Sequence, residues 1–141
     1  MANSDSTKYA ADQNRESYAD DAKARRVLLV DENGNVVDAA SHAETTAYAA
    51  SLVGSAASAS CIEIRGFNSG AAQWIQVHDA AALPADTAVP ISTFYAQSNN
   101  NFFISYPNGK DFAVGIVVCN SSTGPTKTIG GADCWFEVDY I

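Results

Sequence analysis

Basic side chains are almost missing from most of this chain. Residues 27–141 hold only Arg65, Lys110 and Lys127 against eleven acidic side chains, which accounts for the whole net charge of −8. A surface of that sign repels phosphate backbones and anionic headgroups, so neither nucleic acid nor a membrane is expected as a partner. Long apolar runs are missing as well. No window approaches the ~18 apolar residues a membrane helix needs. The polar start of the chain has no apolar h-region, so a soluble chain without a signal peptide is expected, reaching any extracellular destination by a route such as cell lysis. Charged residues of both signs make up only 17% of the sequence. So thinly charged a surface suits a protein packed against neighbours.

Metal-ligand and catalytic patterns are also scarce. The three cysteines, Cys61, Cys119 and Cys134, form no CxxC pair. They alternate with apolar residues and read as buried free thiols of a chain folded in a reducing compartment, with a Cys119–Cys134 bridge left open. His42 has no partner at ligand spacing, and neither histidine joins a cysteine in a zinc pattern. His78-Asp79 is the one place where a histidine adjoins a carboxylate, but neighbours on a strand point to opposite faces, which spoils a base-and-orienter pair. The acidic stretch "DENGNVVD" lacks the spacing and final bidentate glutamate of a calcium loop. In "STGPTKTIGG" a proline and a following strand contradict a phosphate-binding loop. No catalytic residue, metal or cofactor is expected.

What the chain does have is strand rhythm. Short runs rich in Ile, Val, Phe, Tyr and Trp, each about 5 to 9 residues long, alternate with Asn, Gly, Pro, Asp and Ser. Asn33-Gly34 predicts a hairpin between strands at 26–31 and 36–39, because a type I′ turn needs positive φ at both central residues. Residues 45–53 are read as a strand for their β-branched ends, although their alanines favour a short helix, and 54–60 as a small-residue loop. Further strands are expected at 61–67, 72–79, 90–96, 101–106 and 111–119, and from Cys134 to the end. Pro107-Asn108-Gly109 reads as a second hairpin turn, and 80–90 and 120–132 read as long loops, the latter flexible and exposed. Ile62 and Ile64 should share one face with Glu63 and Arg65 on the other, and Ile75 and Val77 should oppose Trp74, Gln76 and His78. Eight or nine strands with long crossings predict an all-β, jelly-roll-like single sandwich over 27–141, although an immunoglobulin-like sandwich has the same rhythm.

Residues 1–26 differ, with five acids balancing five bases and Tyr9 and Tyr18 as the only aromatics. The apolar stripe is too thin for a self-standing helix. The segment reads either as a disordered tail or as an extended arm that orders on a partner. In the second case Tyr9, Arg15, Tyr18, Lys23, Arg25 and Arg26 are its anchors, since Tyr and Arg are enriched at interface hot spots. The body's aromatics mostly have a core to fill. In the adjacent pairs Phe102-Phe103 and Trp135-Phe136, however, one member must face outward on a strand. An outward Phe or Trp asks for a partner surface, which nominates Trp74, Phe103 and Trp135 as contacts between protomers.

From Gly66 to the end, "FNSGAAQWIQVHDAAALPADTAVP" and "GIVVCNSSTGPTKTIGGADCWFEVDYI" carry a resemblance. The block is similar to a group of small, all-β virion proteins of tailed bacteriophages, which have a variable N-terminus and this ending. The group has no motif of defined activity, so the resemblance transfers no residue role. It implies a place in a virus particle, on the outer face of the capsid, after synthesis in the host bacterial cytoplasm. The leading expectation is a capsid decoration (cement) protein, not an enzyme, which binds the major capsid protein through its arm and associates as a homotrimer. Two others stand beside it: a tail- or fibre-associated module that recognises a host glycan or protein, and a minor head–tail component.

Overall fold

The computed structural model describes residues 32–33 and 40–141, and chain contacts gather Ala39–Ile141 into one compact unit. The expected arm, its boundary at 26/27 and the strands at 26–31 and 36–39 lie outside the described residues. Glu32 and Asn33 are in a turn, where the Asn33-Gly34 signal placed one.

Eight strands follow: β1 (Ser41–Glu44), β2 (Ser51–Ser55), β3 (Ala59–Asn68), β4 (Gln73–Asp79), β5 (Ser92–Ala96), β6 (Asn100–Phe112), β7 (Ile116–Ser121) and β8 (Cys134–Tyr140). They form two four-stranded sheets, ordered β1-β8-β3-β6 and β2-β7-β4-β5, with every pairing antiparallel. The first four strands pair with the last four in reverse order, β1 with β8, β2 with β7, β3 with β6 and β4 with β5. The chain is therefore one long antiparallel ribbon wound on itself, and the winding brings β8 beside β3 and β7 beside β4. That is a jelly roll, and the immunoglobulin-like order is excluded.

The core lies between the sheets. Ile64, Phe102, Phe136 and Val138 from one meet Ile75, Val77, Ile116 and Val118 from the other. On β8 the alternation is clean: Cys134, Phe136 and Val138 are buried, and Trp135, Glu137 and Asp139 face outward. Gly66 is in register between Phe102 and Phe136, whose rings meet with centroids 5.8 Å apart. A Cβ on Gly66 would stand 2.4 Å from the Phe102 ring, so glycine makes room for the aromatic pair.

Four sequence expectations are corrected. Pro107-Asn108-Gly109 does not turn the chain back. Glu63 faces Ser105 and Cys61 faces Lys110, so residues 106–109 bulge out opposite Ile62 alone and β6 resumes its pairing with β3. Gly109 has φ +73°, which supplies the left-handed residue such an excursion needs. The reversal comes instead at 113–115, where Asp79 accepts backbone N–H bonds from Ala113, Val114 and Gly115. In the same bulge Ile62 leaves the core face, and Cys61 takes its place beside Ile64.

The expected strand at 45–53 is interrupted, because the chain crosses between the sheets over residues 45–50. Thr45 anchors the crossing, with its hydroxyl accepting from the Phe136 N–H at 3.0 Å. Residues 120–132, expected as a flexible, exposed loop, begin inside β7, and from Ser122 to Asp133 the chain lies across the outer face of β2-β7-β4-β5 as a strap. Gln76 holds the strap by donating to the carbonyls of Thr123, Gly124 and Thr126 at 2.8, 2.9 and 3.1 Å. The cover explains why every residue of β7 is buried, on both faces. Cys61, Cys119 and Cys134 are free and buried, so no Cys119–Cys134 bridge forms.

Candidate functional site

The two outer faces of the sandwich are finished differently. On β4, Trp74, Gln76 and His78 oppose Ile75 and Val77 as expected, but the strap covers them. Trp74 packs edge-on against Tyr95, 5.2 Å between centroids, and lies against Gly124. His78 is buried with Nε2–H directed at the side-chain amide oxygen of Gln76, Oε1, 3.3 Å away. Burial, aided by the charge of Lys127, pulls its pKa below the ordinary 6.5. The adjacent Asp79 points the other way, to the 113–115 turn, whose N–H groups (Val114 foremost) hold its carboxyl below the ordinary value. His78 and Asp79 thus have separate structural tasks. Lys127 is buried under the strap with its ammonium on Asp86, and its backbone exchanges 2.8 Å hydrogen bonds with Thr87 and Ala88.

Among the described residues, nothing comparable lies across the other face, β1-β8-β3-β6. Register places its outward residues in rows. Asn101, Phe67 and Trp135 form one, Phe103, Arg65 and Glu137 the next, and Ser105, Glu63 and Asp139 the third. The first two rows line a cleft of about 330 Å³, a volume at the lower end of small-ligand pockets. Its floor is aromatic, and Phe103 at its lip is 63% exposed. The charged side is organised by Arg65, which donates to Glu63, Glu137 and Asp139 at 2.5, 2.6 and 2.9 Å. His42 extends the row, its imidazole N–H donating to Asp139 at 2.6 Å and its other nitrogen 3.6 Å from Glu44. The Asp139 hydrogen bond raises the His42 pKa above 6.5. Burial pushes Asp139 upward, but His42 and Arg65 more than offset it and hold the carboxyl below its ordinary value. One ligand atom each from His42, Glu44 and Glu137 lies within 4.8 Å of the others, but all three side chains are solvent-accessible and the imidazole is already engaged by Asp139. We read the row as a solvated ion-pair network.

Of the residues nominated from sequence, Phe103 and Trp135 come together in the cleft. Trp74 does not join them, because it belongs to the other sheet, under the strap. Tyr9, Arg15, Tyr18, Lys23, Arg25 and Arg26 lie outside the described residues. Phe67, one of the aromatics that could line a groove as well as fill the core, joins Phe103 and Trp135, while sequence reasoning missed Arg65, Asn101 and Glu137 as cleft residues. Alternation in "RGF" and "CWFEVD" puts Arg65, Phe67 and Glu137 on an outward face, but only the β3–β8 and β3–β6 registers reveal that they and Asn101 are neighbours.

At the end of the sandwich near the cleft, a buried polar plug joins the two sheets. Asp133 accepts from Gln73 and Asn120 at 2.8 and 2.9 Å, while Gln73 also donates to Asn68 at 2.9 Å. Cys134 lies within this plug, and burial raises its thiol pKa to about 12. Among the described residues no buried side-chain nitrogen or oxygen lacks a partner, so the plug is a satisfied structural network. No helix among the described residues is long and apolar enough to cross a membrane. In comparisons with known proteins, the chain matches no family model, no curated protein and no solved structure.

Proposed function

We propose that this chain is a structural protein of a tailed-bacteriophage virion, a decoration protein that lies on the outer face of the capsid and associates as a homotrimer. The observation that carries this reading is the inequality of the two faces. One is closed by the chain's own strap, while the other presents Phe103, Phe67 and Trp135 around a cleft. A body that finishes one face and leaves aromatics open on the other is suited to a neighbour. The sequence resemblance from Gly66 onward supplies the setting. In this reading the N-terminal arm, through Tyr9, Arg15, Tyr18, Lys23, Arg25 and Arg26, binds the major capsid protein. Holding three bodies together turns three weak arm contacts into one strong attachment. Three buried thiols fit folding in a bacterial cytoplasm.

A second reading draws on the same cleft. Trp135 beside Asn101 and Glu137 offers a flat ring next to hydrogen-bonding groups, which suits a sugar and hence a tail- or fibre-associated module recognising a host glycan. Copy number separates the two readings. Quantitative mass spectrometry of particles from the encoding virus should give a ratio to the major capsid protein near one. A ratio of a few per cent would remove the decoration reading and favour the tail.

A further inference from the structure

The strap and the connection it grips, residues 80–91, leave an apolar ridge projecting from the body. Val89 at its crest is 74% exposed, and Leu83 and Ile91 flank it, also exposed. Solvated loops are seldom both apolar and rigid, yet this one is pinned along its length. The Thr87 N–H donates to the Lys127 carbonyl and the Lys127 N–H returns to Ala88, both at 2.8 Å, while the Ile91 N–H reaches Val77 at 2.9 Å. Asp86 pairs with Lys127 and accepts from the Ile129 N–H at 3.2 Å. Thr87 has φ +76°, a left-handed conformation that a β-branched residue adopts only under constraint. Such strain persists where the surroundings over-determine it, and it clusters at binding and switch regions. Pro84 and Pro90 stiffen the segment further.

We propose that this ridge is the partner of the aromatic cleft in a second copy of the chain, with Val89 and Ile91 of one protomer seated against Phe103 and Trp135 of the next. The inference rests on the homotrimer reading above and names its contact. The molecule carries both halves: an exposed aliphatic loop, and a concave aromatic site on a different part of its surface. Electrostatics favour the match. The ridge's one charge, Asp86, is neutralised by Lys127, so it can approach a cleft rimmed by Glu63, Glu137 and Asp139. The body as a whole is acidic, so only a locally neutral segment of a second copy can dock there, and Arg65 is already taken by those three carboxylates. The pre-ordered loop loses little further entropy on docking. Because ridge and cleft are different surfaces, the contact is heterologous, and head-to-tail contacts close into rings such as a trimer.

The test is light scattering coupled to size exclusion on the full chain, as wild type, Val89→Asp and Phe103→Asp. Both positions are exposed, so both variants should keep the wild-type circular dichroism and unfold cooperatively, at a Tm lowered only by the lost association; Val89→Ser and Phe103→Ser are the milder pair should either aspartate variant fail to fold. Wild type is expected at three times the chain mass and each variant at one. An equimolar mixture of the two variants should form a heterodimer, because the intact cleft of Val89→Asp can take the intact ridge of Phe103→Asp. Variants that remain trimeric would overturn the ridge–cleft contact and leave the trimer reading standing. Monomeric variants that fail to pair on mixing would also overturn it, pointing to a self-complementary contact. A monomeric wild type would sink both the contact and the trimer. If Trp135 fluorescence of that monomer responds to maltoheptaose, the cleft belongs to a sugar.

Discussion

Replacing Gly66 with alanine probes the packing on which both the core and the cleft depend. The added Cβ would stand 1.9 Å from the Trp135 carbonyl oxygen and 2.4 Å from the Phe102 ring. Ordinary carbon–oxygen contacts are above 3 Å, and a backbone carbonyl has no rotamer to escape into. Strands β3 and β8 must therefore part by about 1 Å or the Phe102–Phe136 pair must open. Overpacking of this kind costs roughly 1–3 kcal/mol, and a clash with backbone belongs at the top of that range, about 3 kcal/mol. With a urea m-value of about 1.5 kcal/mol/M, the midpoint falls by roughly 2 M, and Tm by roughly 10 °C. The assay is urea unfolding followed by tryptophan fluorescence, since Trp74 and Trp135 report one sheet each. Gly131→Ala is the control. Its Cβ would meet only Asp133, at 3.7 Å, so its stability should stay within about 0.5 kcal/mol of wild type. A Gly66→Ala protein that loses less than about 1 kcal/mol would refute the reasoning, because the aromatic pair would then not close over this position.

Gln76→Ala should loosen the strap, because the carbonyls of Thr123, Gly124 and Thr126 keep only their hydroxyl donors (Ser121, Thr93 and Thr123) and a cavity opens beneath them; a loss of about 3 kcal/mol is expected, with faster hydrogen exchange at the Thr128 N–H. The two histidines should tilt the stability–pH curve in opposite directions. His78 is held below 6.5, so the unfolded chain takes up its proton first and stability falls as pH drops below about 6.5; His78→Gln should flatten that slope in denaturation curves at pH 5.5 and 7.5. His42 is raised above 6.5, so its contribution is complete below 6.5 and is lost as pH rises through the folded value; His42→Gln should remove that decline. Cys61 and Cys119 are pushed up to about 11 by burial and Cys134 to about 12, so a thiol reagent such as DTNB at pH 8 should label the native protein only as fast as it unfolds, and three thiols should titrate in denaturant. Fast labelling of the native protein would contradict the burial of these cysteines.

Much of the fold was legible because jelly-roll strands in this chain keep their inward–outward alternation. "CWFEVDY" announces β8 and its two faces without help from any other segment. Failures came where a local signal competes with a distant pairing. Pro107-Asn108-Gly109 has the chemistry of a turn, but nine residues of β3 are available to pair with β6 on both sides of it, and that ladder wins. The strap was hidden for a similar reason. Nothing in "NSSTGPTKTIGGA" is apolar enough to demand burial, and what buries it is hydrogen bonding by Gln76 and the Lys127–Asp86 pair. One clue was available: "GIVVCNS" is apolar without alternation, which signals a strand covered on both faces. The cleft was half legible, since outward Phe103 and Trp135 follow from adjacent aromatic pairs. Arg65, Phe67, Asn101 and Glu137 join them only through register, which no single segment encodes. The polar residues of the block from Gly66 to the end have structural tasks. Asn68, Gln73, Asn120 and Asp133 build the buried plug, Gln76 holds the strap, and Asp79 holds the 113–115 turn.

The proposal that the cleft face of β1-β8-β3-β6 is completed by neighbours on a capsid is tested most directly by cryo-electron microscopy of virus particles that contain this chain. The account predicts jelly-roll density at three-fold positions of the head, with Phe103 and Trp135 buried between adjacent bodies. Density for this body at the tail, or on the head with the cleft open to solvent, would contradict it.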